Sequence, residues 1–215
     1  MPKIGIIAGT GIDDSIIKAT GVIFLNRHGR EYRAPHEIDY RGNILALQRA
    51  GVEKIVALAA VGSLNKKMKP GDFLLLSDFI DLTRNRTEYL SAANFTDVSF
   101  PYDEALRRKI KQAAAGLGIR IHPKAVYACT EGPRYESKAE IAAYRRLGAD
   151  VVGMTQVPEV VLAAETGIPY AVIGIVTNYA AGISRKKISS QEVMAMMKNK
   201  SAEISKLLLE TIKRL

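Results

Sequence analysis

The amino-acid sequence predicts an α/β protein, a single domain over residues 1–215 with a twisted, mostly mixed central sheet flanked by helices. Apolar runs of strand length alternate with amphipathic stretches from end to end, the pattern of a sheet covered by helices. A chain of 215 residues can bury a core without disulfides or metals. No internal repeat, low-complexity tract or linker divides it.

Each element has its own signal. Residues 3–8 form a first buried strand that leads into Gly9-Thr10-Gly11, and residues 22–25 form a second that ends at Asn26, Arg27 and His28. A helix over 39–50 precedes a strand over 54–60, which runs on into Val61, Gly62 and Ser63. Pro70 and Gly71 turn the chain into a strand over 73–77. Residues 84–102 are polar, with scattered aromatics and no period, and read as a long surface loop of the kind that carries function. A helix over 102–117 follows, then strands near Ile119 and Val126. Residues 129–136, Cys-Thr-Glu-Gly-Pro-Arg-Tyr-Glu, make a bend at Gly132 and Pro133 before a helix that Ser137 caps. A strand opens at Val151, a helix covers 157–166, and residues 170–177 are the longest buried strand. Ser189 or Ser190 caps a final helix that runs almost to Leu215.

Composition removes several classes of function. One cysteine rules out a disulfide framework. The net charge of +9 is spread along the chain beside Glu residues, without interleaved aromatics. That argues against nucleic acid and for solvated faces that attract small anions. No charged-then-apolar leader and no apolar run of spanning length is found, so a cytoplasmic protein that does not engage membranes is expected.

Ligands of such folds sit beyond the carboxyl ends of the strands, where the polar loops converge. Gly9-Thr10-Gly11 resembles a dinucleotide fingerprint but lacks the third glycine, and the second strand ends in Arg27-His28 where an acidic ribose ligand belongs. The same turn offers backbone N–H groups and the Thr10 hydroxyl. Arg27 adds a guanidinium suited to oxyanions, His28 a further donor, and Thr155 a hydroxyl ahead of a helix. Singly, Thr10 and Thr155 read as caps and His28 as a structural histidine; together they describe a site for phosphate or a phosphate ester. The 129–136 bend adds an aromatic face and two carboxylates, suited to a flat, nitrogen-rich ligand.

These residues carry a resemblance. Ile-Gly-Ile-Ile-Ala-Gly-Thr-Gly-Ile-Asp at 4–13, Asn-Arg-His-Gly-Arg at 26–30, Ala-Val-Gly-Ser-Leu at 60–64, Pro-Gly-Asp at 70–72, Asp-Phe-Ile-Asp at 78–81, Glu-Gly-Pro-Arg-Tyr at 131–135, Gly-Met-Thr-Gln-Val-Pro-Glu at 153–159 and Thr-Asn at 177–178 occur in one order over nearly the whole chain. They resemble the trimeric purine nucleoside phosphorylases, which include methylthioadenosine and methylthioinosine phosphorylases. The resemblance implies a nucleoside phosphorylase-like fold and attack of phosphate on C1′ of a purine nucleoside, giving free base and sugar 1-phosphate. It implies Thr10, Arg27, His28 and Thr155 as phosphate ligands, Met154 beneath the ribose and Tyr135 stacked on the base. Ser190 falls near the sugar 5′ position, and Phe95 where a neighbouring subunit of a trimer, or dimer of trimers, closes the sugar end. Neither a metal nor an organic cofactor is required; inorganic phosphate is a co-substrate.

The catalytic set expected on this basis is Asn178, His28 and Glu136. Asn178 can donate to O6 and accept from protonated N7, while Glu136 can accept from N1–H. An adenine-preferring relative carries acids where this chain has Asn178 and Ala180, so 6-oxopurines are expected. The alternatives are an S-methyl-5′-thioadenosine phosphorylase and a non-catalytic nucleotide-binding module. Two departures stand out. Ala59 replaces a hydroxyl or amide of many relatives, which implies one phosphate contact fewer. The stretch from Gly11 to Arg27 is shorter than in relatives, implying a more open phosphate side, weaker turnover or a missing piece of chain.

Overall fold

A computed structural model of the chain describes residues 2–9, 21–29, 31–84, 86, 89–91 and 95–215. Among these residues seven strands, β1 (Ile4–Ala8), β2 (Ile23–Asn26), β3 (Lys54–Ser63), β4 (Phe73–Asp81), β5 (Ile121–Cys129), β6 (Val151–Gly153) and β7 (Tyr170–Tyr179), form one mixed sheet. The helices among the described residues are α1 (Tyr40–Arg49), α2 (Glu104–Gly116), α3 (Lys138–Arg146), α4 (Glu159–Glu165) and α5 (Ser190–Ile212). β1 is buried at all five positions, as a strand covered on both faces must be. One apolar layer joins the sheet to α1 and α4 through Ile44, Leu47, Val160 and Leu162. The other joins it to α2 and α5 through Leu106, Ile110, Leu207 and Leu208.

The helix starts follow the capping signals. Asp39 accepts from Gly42 N at 2.7 Å, and Ser137 forms a reciprocal capping box with Glu140. The choice between two serines at α5 is resolved for Ser189, which accepts from Glu192 N at 3.2 Å. Ser190 is therefore the first helical residue, and its side chain is not the cap.

Several strands are longer than their apolar runs. β4 continues to Asp81 because it stays paired with β5 up to Asp81↔Cys129, although exposed Asp78 ends the apolar signal. The two strands expected near Ile119 and Val126 are one strand, β5. It contains Pro123, which cannot donate to a ladder, and the β4–β5 register shifts there, between Leu74 and Leu76.

The pairing of β3 decides where a ligand can enter. Its residues 55–63 run parallel to β7 along one edge. The opposite edge is divided: residues 54–57 pair with β1, and Gly62 and Ser63 pair antiparallel with β6. Among the described residues no strand pairs with 58–61 on that edge. β3, β7, β4, β5 and β6 pair in a ring, and β1 and β2 continue outward from it. The loops leaving β1 and β2 thus arrive beside the unpaired segment.

Candidate active site

The break in β3 opens into a cavity of about 230 Å³. Arg27 reaches it from the end of β2. Its backbone N–H donates to Ala8 O at 2.8 Å, and its side chain is only 2% exposed. Nη1 donates to Leu58 O at 2.8 Å, satisfying a β3 carbonyl in the unpaired segment. Nε and Nη2 donate to the two oxygens of Glu159, at 2.7 and 2.8 Å, as a planar fork. Burial alone would lower the Arg27 pKa, and the Glu159 carboxylate more than restores it, so the guanidinium stays charged. Glu159, the first residue of α4, is fully buried and also accepts from Tyr170 Oη at 2.5 Å.

His28 follows on the same strand end. Its Nδ1 lies 2.8 Å from Arg33 O. A carbonyl can only accept, so Nδ1 carries the proton and Nε2 of the neutral ring presents a lone pair. Burial lowers its pKa most, the Arg33 carbonyl opposes that in part, and the smaller influences of the Arg27 charge and of Glu159 lower and raise it respectively. The sequence reading casts His28 as a further donor; in its neutral form it is an acceptor.

Thr155 lines the same cavity. Its backbone N–H donates to Tyr127 Oη at 3.2 Å. That close approach needs Gly153, where a Cβ would come within 2.3 Å of the Tyr127 hydroxyl oxygen. Helix α4 begins at Glu159 and not at residue 157 as expected from sequence, so Thr155 lies ahead of the helix and outside its first turn. Thr10 lies outside the described residues. Ala59 packs into the core between β3 and the α1–α4 layer, and Leu58 and Ala60 line the cavity instead.

The other wall is built from the ends of β5, β6 and β7. Tyr135 and Met154 both line the cavity, and Gly132, at φ 66°, lets Met154 Sδ pass where a Cβ would sit 2.6 Å away. Glu136 is buried ahead of α3 and is not a solvated helix residue; its Oε1 accepts from Thr130 Oγ1 at 2.7 Å. Asn178 accepts from Thr177 Oγ1 at 2.8 Å through Oδ1 and donates from Nδ2 to Tyr179 O at 3.0 Å. One N–H and one lone pair of its amide stay uncommitted among these bonds. Ser190 opens onto the cavity beside Ile188, Val193 and Met194. Phe95 does not reach this cavity. It is fully exposed, over a separate depression with Phe79, Tyr89 and Val161.

Two residues of the site carry no local signal in the sequence. Glu159 stands inside the 153–159 motif, yet nothing near it marks it as the partner of Arg27, 132 positions away. Arg86 lies in the irregular 84–102 segment, and its side chain is 4% exposed. Its Nη1 donates to Met154 O, to Val157 O at 3.0 Å and to Tyr40 Oη at 3.2 Å; its Nη2 donates to Glu131 O at 2.6 Å. Nε donates to the Glu131 carboxylate at 3.3 Å. One guanidinium thus ties the 129–136 bend, the 153–159 turn and α1 together.

The fold and cavity together define a class of small-molecule site, with a cationic, histidine-bearing corner and a flat aromatic and amide end on one mixed α/β sheet. Comparison with known proteins narrows this. The chain belongs to the Phosphorylase superfamily, whose family model matches residues 15–213. Over an alignment 248 positions long it is 44% identical to the 6-oxopurine nucleoside phosphorylase of Pyrococcus furiosus, covering 99% of this chain and 92% of that one. It is 38% identical to the S-methyl-5′-thioadenosine phosphorylase of Pyrococcus abyssi, covering 100% and 93%. Among solved structures, the methylthioadenosine phosphorylase of Schistosoma mansoni in complex with adenine superposes with a TM-score of 0.90 at 27% identity, covering 99% of this chain and 91% of that one.

Proposed function

We propose that this chain is a purine nucleoside phosphorylase, a pentosyltransferase that cleaves 6-oxopurine nucleosides with phosphate to free base and sugar 1-phosphate. The observation that carries this is the single cavity shared by Arg27, His28 and Thr155 with Tyr135, Glu136, Met154 and Asn178. The 44% identity to a protein named for that substrate class supports it. Phosphate is held at the Arg27 corner, with Thr10 as a further ligand, and attacks C1′ of a ribose lying over Met154. The C1′–N9 bond breaks as the C1′–O bond forms, and negative charge moves onto the purine. Asn178 meets that charge with its free N–H toward O6, and its carbonyl accepts from N7 once that nitrogen is protonated. Glu136 accepts from N1–H. Such fixed dipoles stabilise the charge as it develops. No metal or organic cofactor takes part, so a chelator leaves the rate unchanged.

Adenine presents an amino group at C6 and a lone pair at N1, which faces the Glu136 acceptor unpaired. Buried polar groups left unsatisfied can give discrimination on the order of 10⁴. The expected result is a kcat/KM for inosine far above that for adenosine, and erosion of the preference in Asn178→Asp. Comparable values for the two nucleosides in the unmodified protein refute the base assignment. Ile188, Val193 and Met194 make the end beside Ser190 apolar, so 5′-methylthioinosine is expected to match or exceed inosine.

The working assembly is a homotrimer or a dimer of trimers, in the cytoplasm, without nucleic-acid or membrane partners. No described helix is long and apolar enough to cross a membrane. Exposed Phe95, Tyr89 and Phe100 supply an apolar surface for a neighbouring subunit, with Phe95 closing the neighbour's sugar site. Light scattering is expected to give a multiple of three chains. A fully active monomer rules the shared site out.

A further inference from the structure

Accepting phosphate at the Arg27 corner leaves open which tetrahedral anions that corner admits. Arg27 arrives there already committed: of its five N–H groups, Nε and one on Nη2 go to Glu159 and one on Nη1 goes to Leu58 O. Two remain for a ligand, and the buried Glu159 carboxylate offsets the charge. His28 brings the opposite polarity. With Nδ1–H donated to Arg33 O at 2.8 Å, Nε2 offers a lone pair. It faces the turn at Gly9, where a Cβ would stand 3.3 Å from it. The groups around the ring are Arg27, Glu159 behind Arg27, and Tyr32, stacked at 4.8 Å with 12° between planes. Among the described residues no carboxylate hydrogen-bonds to the ring to hold a second proton on it.

An anion in this corner must accept from Arg27 and donate to His28. We propose that His28 makes the site selective for tetrahedral oxyanions that still carry a proton, phosphate and arsenate, against sulfate, which at neutral pH has none to give. Sulfate would set an oxygen lone pair against the Nε2 lone pair, and buried mismatches of that kind carry the largest discrimination. Protonation of His28 turns Nε2 into a donor, so selectivity falls as pH falls through a His28 pKa held below its usual value.

The test is calorimetric titration of the intact protein with phosphate and, separately, with sulfate at pH 7.5 and pH 5, backed by sulfate inhibition of the phosphate-dependent reaction. Phosphate is expected to bind at least about a hundredfold more tightly than sulfate at pH 7.5, with the ratio shrinking at least about tenfold at pH 5. His28→Gln, whose amide can place an N–H at the Nε2 position, is expected to narrow the ratio at pH 7.5 in the same way. Equal affinity for the two ions at pH 7.5, or a ratio unmoved by both acid and His28→Gln, overturns the proposal. Binding of neither ion would overturn the placement of phosphate itself. Tight phosphate binding without sulfate selectivity would overturn only the role of His28.

Discussion

Arg27→Met is expected to lower stability by about 3–5 kcal/mol and the apparent phosphate affinity by about a hundredfold, for two separable reasons. The stability loss comes from Glu159, which is fully buried and loses both bonds from its cationic partner. Stranding one member of a buried ion pair carries a cost of about that size. The affinity loss comes from the two guanidinium N–H groups left for the anion, with charged hydrogen bonds each contributing about 1.5–3 kcal/mol. The double variant Arg27→Met/Glu159→Gln separates the two. The glutamine amide is neutral and its carbonyl can still accept from Tyr170 Oη, so at least half of the lost stability returns in denaturant titrations. The phosphate KM stays high. A double variant with unmodified phosphate KM means that Arg27 serves the fold alone.

Arg86→Ala produces a different signature. The guanidinium satisfies the carbonyls of Met154, Val157 and Glu131 at once, and its removal leaves them facing a void. A destabilisation of at least about 3 kcal/mol is expected from unpaired buried acceptors and the lost ion pair. Met154 and the 129–136 bend then lose their common anchor. Misplacement of about 1 Å can lower rates on the order of 10²-fold, so kcat/KM falls by at least that factor, with nucleoside and phosphate KM rising together. Arg27→Met, in contrast, raises the phosphate KM selectively. Guanidinium ion in the assay is expected to restore part of the Arg86→Ala activity, and a nucleoside KM unchanged by Arg86→Ala contradicts this role.

Much of the fold was legible because its signals are local. The apolar run at β1, the Asp39 and Ser137 caps and the Gly132-Pro133 bend each depend on neighbours within a few residues. Strand lengths were less legible, since β4 and β7 extend through polar residues held only by partner strands. The site divides in the same way. Arg27, His28, Tyr135, Glu136, Met154, Thr155, Asn178 and Ser190 were named from strand-end chemistry and the resemblance, and all line one cavity. The tautomer of His28 was not readable, because Arg33 O meets its ring only after the chain has turned. Neither were the partners of Arg27 and Arg86, which lie up to 132 positions away. Nor was the break in β3 edge pairing, which follows from sharing that edge between β1 and β6.

The most direct test of phosphorolysis is to follow inosine with the purified protein by phosphorus NMR, with and without inorganic phosphate. The account predicts a sugar 1-phosphate resonance that grows in step with hypoxanthine release, and no release without phosphate. Hypoxanthine released at the same rate in phosphate-free buffer, or no release under either condition, would contradict it.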